Sequence, residues 1–169
     1  ATGMTPAEMT WKRGVDILSF GATKNGCWCA EAVVFFDPAK ASQFPYIRKC
    51  GAQLFSKTRF VAAQFMAYLE NDLWLELGSH ANRMADRLRA GLDASNQARQ
   101  AWPTHTNESF AILKADRAEA LRARGAVFYD WNPPHGFHDI VGDDEHLVRL
   151  VTSWSTTPDE VDRFCELLA

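Results

Sequence analysis

The sequence predicts an α/β protein built from two lobes, and three features of its hydropathy pattern support this. Two short strand-like runs, at residues 15–20 and 30–36, lie near the N-terminus. A stripe of apolar residues with the three- and four-residue spacing of an amphipathic helix occupies the middle of the chain. After a polar stretch at 91–103, strand-like and helical segments alternate again, which is typical of a small α+β lobe. We therefore place a boundary in this stretch and expect domains 1–95 and 96–169.

The composition excludes several classes of protein. Of the 169 residues, 47% are hydrophobic and 23% are charged, which excludes a disordered chain. The net charge of −3 provides no excess of cations for phosphate backbones, so we expect no nucleic-acid partner. No apolar run is long enough for a membrane span, and the N-terminus lacks the charged and apolar regions of a secretory signal. We therefore expect a cytoplasmic protein without a membrane partner.

Capping patterns mark three helix starts. The segments Thr5–Glu8 and Thr157–Glu160 are capping boxes with proline at the first helical position. The pair Asp37-Pro38 opens a third helix by the same logic. The central stripe predicts one long helix or two helices broken near residues 71–72, with the apolar face in the core. The stripe consists of Phe65, Leu69, Leu73, Leu77, Ala81, Met84, Leu88 and Leu92.

The second lobe is expected to contain strands and helices in alternation. Its β-branched and aromatic runs predict three strands, and Gly125 is expected to end the helix between the first two. The predicted strands are 109–113, 126–131 and 147–154, and the predicted helices are 115–124 and 158–168. Phe128, Trp131 and Trp154 are expected in the core of this lobe.

The four cysteines and five histidines indicate neither a disulfide framework nor a metal site. Cys27 and Cys29 have C-x-C spacing, which differs from the C-x-x-C spacing of thioredoxin-like proteins, and we expect reduced, partly buried thiols. His135 and His138 lie in a loop rich in proline and glycine, where solvated histidines are the usual finding. The sequence contains no second pair of ligands at the spacing of a zinc site.

Lys24 is the first candidate for a catalytic residue. It lies in a loop bounded by Gly21 and Gly26, between a strand-like run and a second run that we expect to be buried. A lysine held between buried strands would lose hydration, and a desolvated amine is a good nucleophile for Schiff-base formation with a carbonyl. Ser19 and Thr23 carry hydroxyls that could donate to a phosphate. The spacing by itself favours an ordinary surface turn lysine.

Arg149 is the candidate for substrate binding. It interrupts the apolar run 147–152, where an unpaired charge is costly. A guanidinium can bind a carboxylate with two hydrogen bonds, which suits an amino-acid substrate. The pattern by itself favours the alternative, an edge-strand arginine that faces solvent.

Lys57 and Arg59 form a basic cluster at the start of the central helical region. Side chains at this place could reach a phosphate at a helix N-terminus. Solvated charges at a helix start are an equally good interpretation.

Four segments, taken together, resemble one known enzyme family. They are DILSFGATKNG at 16–26, AEAVVFF at 30–36, QLFSKTRF at 53–60 and VRLVTSW at 148–154. The combination resembles the C-terminal part of bacterial low-specificity L-threonine aldolases, in the β-eliminating lyase group of fold-type-I pyridoxal-phosphate enzymes. The likeness covers nearly the whole chain. Residues 51–54 depart from the glycine-rich version that is more usual in this family.

The resemblance implies a PLP-dependent transferase-like fold (fold type I), in which the end of the large domain precedes the small α+β domain. It implies retro-aldol cleavage of L-threonine and related β-hydroxy-α-amino acids to glycine and an aldehyde, with pyridoxal 5'-phosphate as the cofactor. It also implies a homo-oligomer, a dimer or a tetramer, with the active site at a subunit interface. The implied roles are Schiff-base formation by Lys24, approach of Lys57 and Arg59 to the cofactor of a neighbouring subunit, and binding of the substrate carboxylate by Arg149. The hydroxyls of Ser19 and Thr23 are expected to contact the cofactor phosphate.

The same resemblance leaves an alternative open. In that family, the aspartate that pairs with the pyridinium nitrogen and the residue that stacks on the ring both precede the lysine segment. The opening residues 1–4 resemble the family's sequence shortly after that aspartate, so the resemblance implies that this sequence contains neither residue. The alternative is a non-catalytic fragment or interface module of the same fold, or another fold-type-I lyase or aminotransferase. The base for the β-hydroxyl proton is also open, either in a preceding segment or as a water held by the phosphate.

Overall fold

The computed structural model describes residues 1–168, and helices and strands alternate along them. The helices are α1 (Pro6–Met9), α2 (Phe44–Cys50), α3 (Thr58–Leu69), α4 (Leu73–Ala94), α5 (Ala115–Ala123) and α6 (Pro158–Leu168). The strands are β1 (Ile17–Gly21), β2 (Glu31–Phe35), β3 (Ala98–Gln100), β4 (Glu108–Lys114), β5 (Tyr129–Asp130) and β6 (Glu145–Val151).

Two compact units make up this structure, residues 2–77 and residues 78–168. The division between them falls inside α4. The polar stretch at 91–103 contains the end of α4, which continues to Ala94, and the strand β3. The predicted domain boundary between residues 95 and 96 stays a prediction.

Strands β1 and β2 form an antiparallel hairpin in the first unit, with Ile17 opposite Phe35. Side chains alternate between exposed and half-buried along β1, and along β2 as far as Val34. Phe20 lies on the covered face, whereas Val33 is 44% exposed on the other. The expectation that the run at 30–36 would be buried is therefore wrong for this chain, because only one face of the hairpin has packing partners here.

The core of the first unit is small. Three residues in it are buried, Ala22, Ala30 and Tyr68. Partly buried hydrophobic residues pack around them, namely Phe20, Cys27, Val61, Phe65, Trp74 and Leu77. This cluster lies beside the connection between β1 and β2, so it supports the segment that carries Lys24.

Helices α3 and α4 are separate, as one of the two sequence-based alternatives states. Asn71 and Asp72 have φ values of 51° and 59°, in the left-handed region that interrupts a right-handed helix. The apolar stripe also divides. Its second half, from Ala81 to Leu92, is buried, whereas Leu69 and Leu73 are 49% and 36% exposed.

The second unit contains an antiparallel sheet in the order β3-β4-β6-β5. Strands β4 and β6 are central and pair along their full length, from Glu108 opposite Val151 to Lys114 opposite Glu145. The core on one face of the sheet combines these strands with α4, α5 and α6. It contains Met84, Leu88, Leu92, Ala111, Leu113, Ala118, Leu121, Phe128, Val148, Leu150, Val161 and Leu168.

Helices α4 and α6 approach closely at Gly91. A β-carbon built at this position would lie 2.2 Å from the Sγ atom of Cys165. Burial raises the pKa of the Cys165 thiol. The spacing between these two helices therefore depends on a residue without a side chain.

Three expectations about the second lobe need correction. The predicted strand at 126–131 is a strand only over Tyr129–Asp130. Phe128 is in the core as expected, with 7% exposure, but Trp131 and Trp154 are 39% and 43% exposed. The strand predicted to reach residue 154 ends at Val151, because the chain turns away before the capping box of α6.

Both capping boxes are confirmed. The Thr5 hydroxyl accepts a hydrogen bond from the Glu8 backbone N–H at 3.3 Å, and the Glu8 carboxylate accepts one from the Thr5 N–H at 2.8 Å. Thr157 and Glu160 repeat the arrangement at 3.3 and 2.7 Å. The pair Asp37-Pro38 opens only one short 3₁₀ turn, Pro38–Ala41, capped by the Asp37 side chain.

The four cysteines are free, and two of them, Cys29 and Cys50, are exposed rather than partly buried. His135 and His138 are both exposed. In the part of the chain that the structure describes, no cluster of three metal-ligating side chains occurs. None of the helices within residues 1–168 combines the length and the apolar character needed to cross a lipid bilayer.

Candidate active site

The turn that carries Lys24 is a 3₁₀ helix, Thr23–Asn25, between the two strands of the hairpin. Ala22 before it is fully buried, and its carbonyl accepts hydrogen bonds from the backbone N–H groups of Asn25 and Cys27 at 3.0 and 3.1 Å. Gly26 after it has a φ of 108°, which favours glycine because other residues rarely adopt this conformation. These backbone features set the local conformation of the turn.

Thr23 closes the base of the turn. Its hydroxyl accepts a hydrogen bond from the Ala30 N–H at 3.1 Å and lies 3.5 Å from the Ala30 carbonyl. The Ala22 N–H donates to the same carbonyl at 2.8 Å. The Thr23 hydroxyl therefore already accepts one hydrogen bond within the turn. The hydrogen bond that it donates is long, because the Ala30 carbonyl lies 3.5 Å away.

Lys24 is exposed, which differs from the expectation of an amine held between buried strands. The reason is the one-sided packing of the hairpin, which leaves the tip of the turn without a cover. Among residues 1–168, no carboxylate lies within ion-pair distance of its amine. The amine is accordingly available to an incoming group.

Asn25 is a residue that the sequence analysis missed. Its side-chain N–H₂ donates to the Tyr68 hydroxyl at 2.6 Å and to the Trp74 carbonyl at 3.1 Å. Tyr68 is 4% exposed, and burial raises the pKa of its phenol. These partners lie 43 and 49 residues further along the chain, so no local pattern could have indicated them.

Ser19 lies on the exposed face of β1, opposite Val33 of the neighbouring strand. Gly21 shares this face, and the Glu31 carboxylate folds over it, since a β-carbon at Gly21 would lie 2.3 Å from Glu31 Oε2. The hydroxyl of Ser19 thus points to the open side of the hairpin, two residues before the turn.

Lys57 and Arg59 are both exposed at the start of α3. Lys57 holds the N-cap position, and no side chain caps the first N–H groups of this helix. The Arg59 guanidinium lies 5.1 Å from the centre of the Phe60 ring. Neither cation is paired with a carboxylate within the described residues.

Arg149 lies in β6, between Phe110 of β4 and Tyr129 of β5. Its side chain is 35% exposed, and it contacts the Glu108 carboxylate at 3.4 Å. The guanidinium also lies 4.6 Å from the centre of the Trp131 ring. The structure therefore gives this arginine two partners that the sequence analysis did not name, and its exposure lies between the two sequence-based alternatives.

Aromatic rings surround the Arg149 side of the sheet. The Trp131 ring lies 5.7 Å from that of Phe110, which in turn lies 4.9 Å from Trp102. Phe137 is 5.7 Å from Trp102. The guanidinium of Arg149 lies on the Trp131 ring, and this contact restricts its orientation. A restricted guanidinium loses fewer conformations when it binds a ligand.

A second ion pair fixes the other end of β6. Arg99 donates to both oxygens of Glu145, each at 2.7 Å, and the Gly142 N–H donates to one of them at 2.9 Å. These hydrogen bonds, led by the one from Arg99, lower the pKa of Glu145 to about 2. The Glu145 side chain is 12% exposed, so the pair contributes to the stability of the sheet.

Two curated relatives match this chain over most of its length. A low specificity L-threonine aldolase from Pseudomonas aeruginosa is 40% identical over 166 residues, which are 98% of this chain and 44% of that protein. A low specificity L-threonine aldolase from Pseudomonas sp. (strain NCIMB 10558) is 36% identical over 154 residues, which are 91% of this chain and 41% of that protein. The chain therefore spans less than half the length of these relatives. A comparison with models of protein families found no match.

A solved structure supports the same relationship. The threonine aldolase of Leishmania major matches with a TM-score of 0.85 at 32% identity, over 98% of this chain and 45% of that chain. This agreement confirms the predicted fold class, an α/β PLP-dependent transferase-like fold. In both sequence and fold, the chain is similar to the C-terminal part of the low-specificity L-threonine aldolases.

Proposed function

We propose that the protein cleaves L-threonine and related β-hydroxy-α-amino acids to glycine and an aldehyde, with pyridoxal 5'-phosphate as its cofactor. The observation that carries this proposal is Lys24, an exposed lysine on a fixed turn inside a segment that resembles the cofactor-lysine segment of threonine aldolases. Because the chain spans less than half of its relatives, the proposed activity belongs to the full-length protein.

The residues of the first unit fit the proposed cofactor. The aldehyde of pyridoxal phosphate requires a free amine, and the Lys24 amine has no carboxylate partner among the residues described. Its phosphate requires cations and N–H or hydroxyl donors. Lys57 and Arg59 likewise have no carboxylate partner among the residues described, and the Ser19 hydroxyl is exposed. Thr23 contributes less, because its hydroxyl already closes the turn.

In the proposed reaction, Lys24 binds the cofactor and Arg149 binds the substrate. When bound, the cofactor withdraws electrons from the bonds at the substrate Cα atom. Lys24 provides the amine that holds the cofactor between turnovers. Cleavage breaks the Cα–Cβ bond, the β-hydroxyl loses its proton as the aldehyde forms, and Cα gains a proton to give glycine. In the second unit, Arg149 binds the substrate carboxylate and so limits rotation of the substrate.

The proposal extends to assembly and location. Phe55 and Phe60, beside the basic cluster, are 51% and 56% exposed, which supports a surface covered in a homo-oligomer, as a dimer or tetramer. Phe65, in contrast, packs into the small core of its own unit. We also propose that the protein is cytoplasmic.

The test uses the full-length protein with pyridoxal phosphate and L-threonine, without an added keto acid. We expect equal amounts of glycine and acetaldehyde, and an absorbance of bound cofactor that hydroxylamine removes. Bound cofactor with turnover only after a keto acid is added would indicate an aminotransferase. Protein that binds no cofactor would indicate the non-catalytic module.

A further inference from the structure

We propose that Asn25 is a positioning residue, which fixes the turn that carries Lys24 by joining it to α4 and to the buried Tyr68. This inference rests on the proposed function of Lys24. It concerns the residue next to Lys24 in sequence, whose side chain points away from solvent while that of Lys24 points into it.

The contact uses the full donor capacity of the amide. One side-chain nitrogen of Asn25 donates to the Tyr68 hydroxyl at 2.6 Å and to the Trp74 carbonyl at 3.1 Å. A backbone carbonyl has two lone pairs, so the Trp74 carbonyl can accept this bond in addition to a helical one. Because the Tyr68 hydroxyl and the Trp74 carbonyl belong to different helices, the two hydrogen bonds restrict the position of the amide more than a single one would.

Both acceptors are themselves held firmly. Tyr68 is 4% exposed and lies among the rings of Phe20 and Trp74 and the buried Ala22 and Ala30. Because burial raises the pKa of the Tyr68 phenol, the hydroxyl stays neutral at physiological pH. Trp74 lies in the first turn of α4, directly after the left-handed residues Asn71 and Asp72. The break between the helices thus brings this carbonyl within reach of the turn.

This geometry matters because the Lys24 side chain is exposed and has no ion-pair partner among residues 1–168. A lysine has four rotatable bonds, so the position of its amine is defined no better than the position of its Cα atom allows. A displacement of about 1 Å at a reacting group can cost about a hundredfold in rate. We therefore expect the amide of Asn25 to control how well Lys24 meets the cofactor, without itself touching cofactor or substrate.

The chain offers a matched control for this proposal. Gln64 also holds the connection between β1 and β2 by two hydrogen bonds of its side-chain amide, which in addition donates to the Phe60 carbonyl of its own helix at 3.2 Å. It accepts from the Cys29 N–H at 3.0 Å and donates to the Cys29 carbonyl at 3.3 Å. Asn25→Ala and Gln64→Ala therefore each remove a side-chain amide whose hydrogen bonds hold the β1–β2 connection in place. Only the hydrogen bonds of Asn25 are made by a residue next to Lys24.

The experiment compares these variants in the full-length protein. For Asn25→Ala we expect kcat on L-threonine to fall about ten- to a hundredfold, with KM changed less than about threefold. The rate at which the protein binds pyridoxal phosphate, followed by absorbance, should fall by a similar factor. Gln64→Ala should change both by less than about threefold, although the two variants lose similar melting temperature in the cofactor-free state. Equal effects of the two variants on kcat and on cofactor binding would overturn the proposal.

A second variant guards against misfolding of the first. Tyr68→Phe keeps the packed ring and removes only one acceptor, so we expect an effect in the same direction but smaller, about three- to tenfold in the rate of cofactor binding. No change in this variant, with Asn25→Ala unfolded, would also overturn the proposal.

The remaining arm separates this inference from the proposed function. Amide hydrogen exchange in the cofactor-free protein should become faster at residues 25 and 27 in Asn25→Ala, and not in Gln64→Ala. Unchanged exchange would overturn the positioning role even in an active aldolase. If the wild-type protein binds no cofactor, the proposed function fails, and faster exchange in Asn25→Ala would still support the fixing of the turn.

Discussion

The two units of this chain differ sharply in how much apolar surface they bury. Among residues 1–168, sixteen of the nineteen buried hydrophobic residues lie in residues 78–168, and only three lie in residues 2–77. The large exposed hydrophobic side chains show the reverse distribution, with fifteen of twenty-one in the first unit. The second unit thus has a closed core, whereas the first presents an apolar surface.

This difference follows from the sheets. The second unit has four strands with helices against one face, which is enough to bury a continuous core. The first has a two-stranded hairpin, an arrangement that is marginal in water without further packing. The apolar side chains that this hairpin and its helices leave exposed therefore form a surface that the first unit does not cover itself. The two units also carry different candidate residues, Lys24 in the open one and Arg149 in the closed one.

The largest expected effect concerns the open unit. Lys24→Ala should reduce aldolase turnover below detection, because no other amine replaces it on the turn. The free energy of unfolding should change by less than about 0.5 kcal/mol, since the side chain is exposed and unpaired. Turnover with L-threonine and chemical denaturation measure the two quantities. Substantial turnover in the variant would remove Lys24 from the proposed mechanism.

The next effect concerns Arg149 in the closed unit. In the proposed function Arg149 binds the substrate carboxylate, so Arg149→Leu should remove a charge-assisted contact, a loss that costs on the order of 2–5 kcal/mol. This corresponds to a loss of roughly thirty- to several-thousand-fold in kcat/KM. Cofactor absorbance should stay nearly unchanged, and Arg149→Lys should recover only part of the loss, because an ammonium cannot form the same two parallel bonds. A kcat/KM within about threefold of wild type would indicate that the carboxylate is bound elsewhere.

A third pair of variants tests the contrast between the two units directly. Leu92 is fully buried, so Leu92→Ala should lower the free energy of unfolding by about 2–5 kcal/mol without changing the oligomeric state. Phe60 is 56% exposed, so Phe60→Asp should leave the fold in place and shift the protein towards smaller species. Light scattering and denaturation distinguish these results. An unchanged oligomer in Phe60→Asp would mean that subunits do not cover this surface.

The smallest expected effect is the pH dependence of the closed unit. The folded-state pKa of Glu145 lies at about 2, below its ordinary value of 4.5. A lowered pKa contributes stability above the unfolded value, and this contribution is lost as the pH falls from 4.5 towards 2. We expect Glu145→Gln to cost about 2 kcal/mol at pH 7 and much less at pH 2.5. Equal losses at both pH values, measured by denaturation, would contradict the ion pair with Arg99.

The sequence predicts those features of this chain that depend on near neighbours. Both capping boxes, the break at Asn71 and Asp72, and the central strands β4 and β6 follow from residues within a few positions of one another. Lys24 and Arg149 stand out for similarly local reasons, a charge in a glycine-bounded turn and a charge in an apolar strand. Their roles as site residues remain predictions.

The features that the sequence did not indicate depend on distant partners. The Asn25 amide meets residues more than forty positions away, and Arg149 meets Glu108 forty-one positions away. The burial of residues 30–36 was misjudged because β-branched composition is the same in a strand covered on both faces and in one covered on a single face. Trp131 was assigned to the core from its type, whereas its ring lies partly exposed beneath a guanidinium.

The close approach of α4 and α6 at Gly91 has a consequence for thiol chemistry. Cys165, which is partly buried, fills the space that a side chain at Gly91 would occupy. Burial also raises the pKa of the Cys165 thiol, which keeps it in its less reactive protonated form. Cys29 and Cys50, in contrast, lie exposed in the first unit. Alkylating reagents should therefore modify these two first, and Cys165 more slowly, since its thiol is partly buried beside Gly91 and more fully protonated.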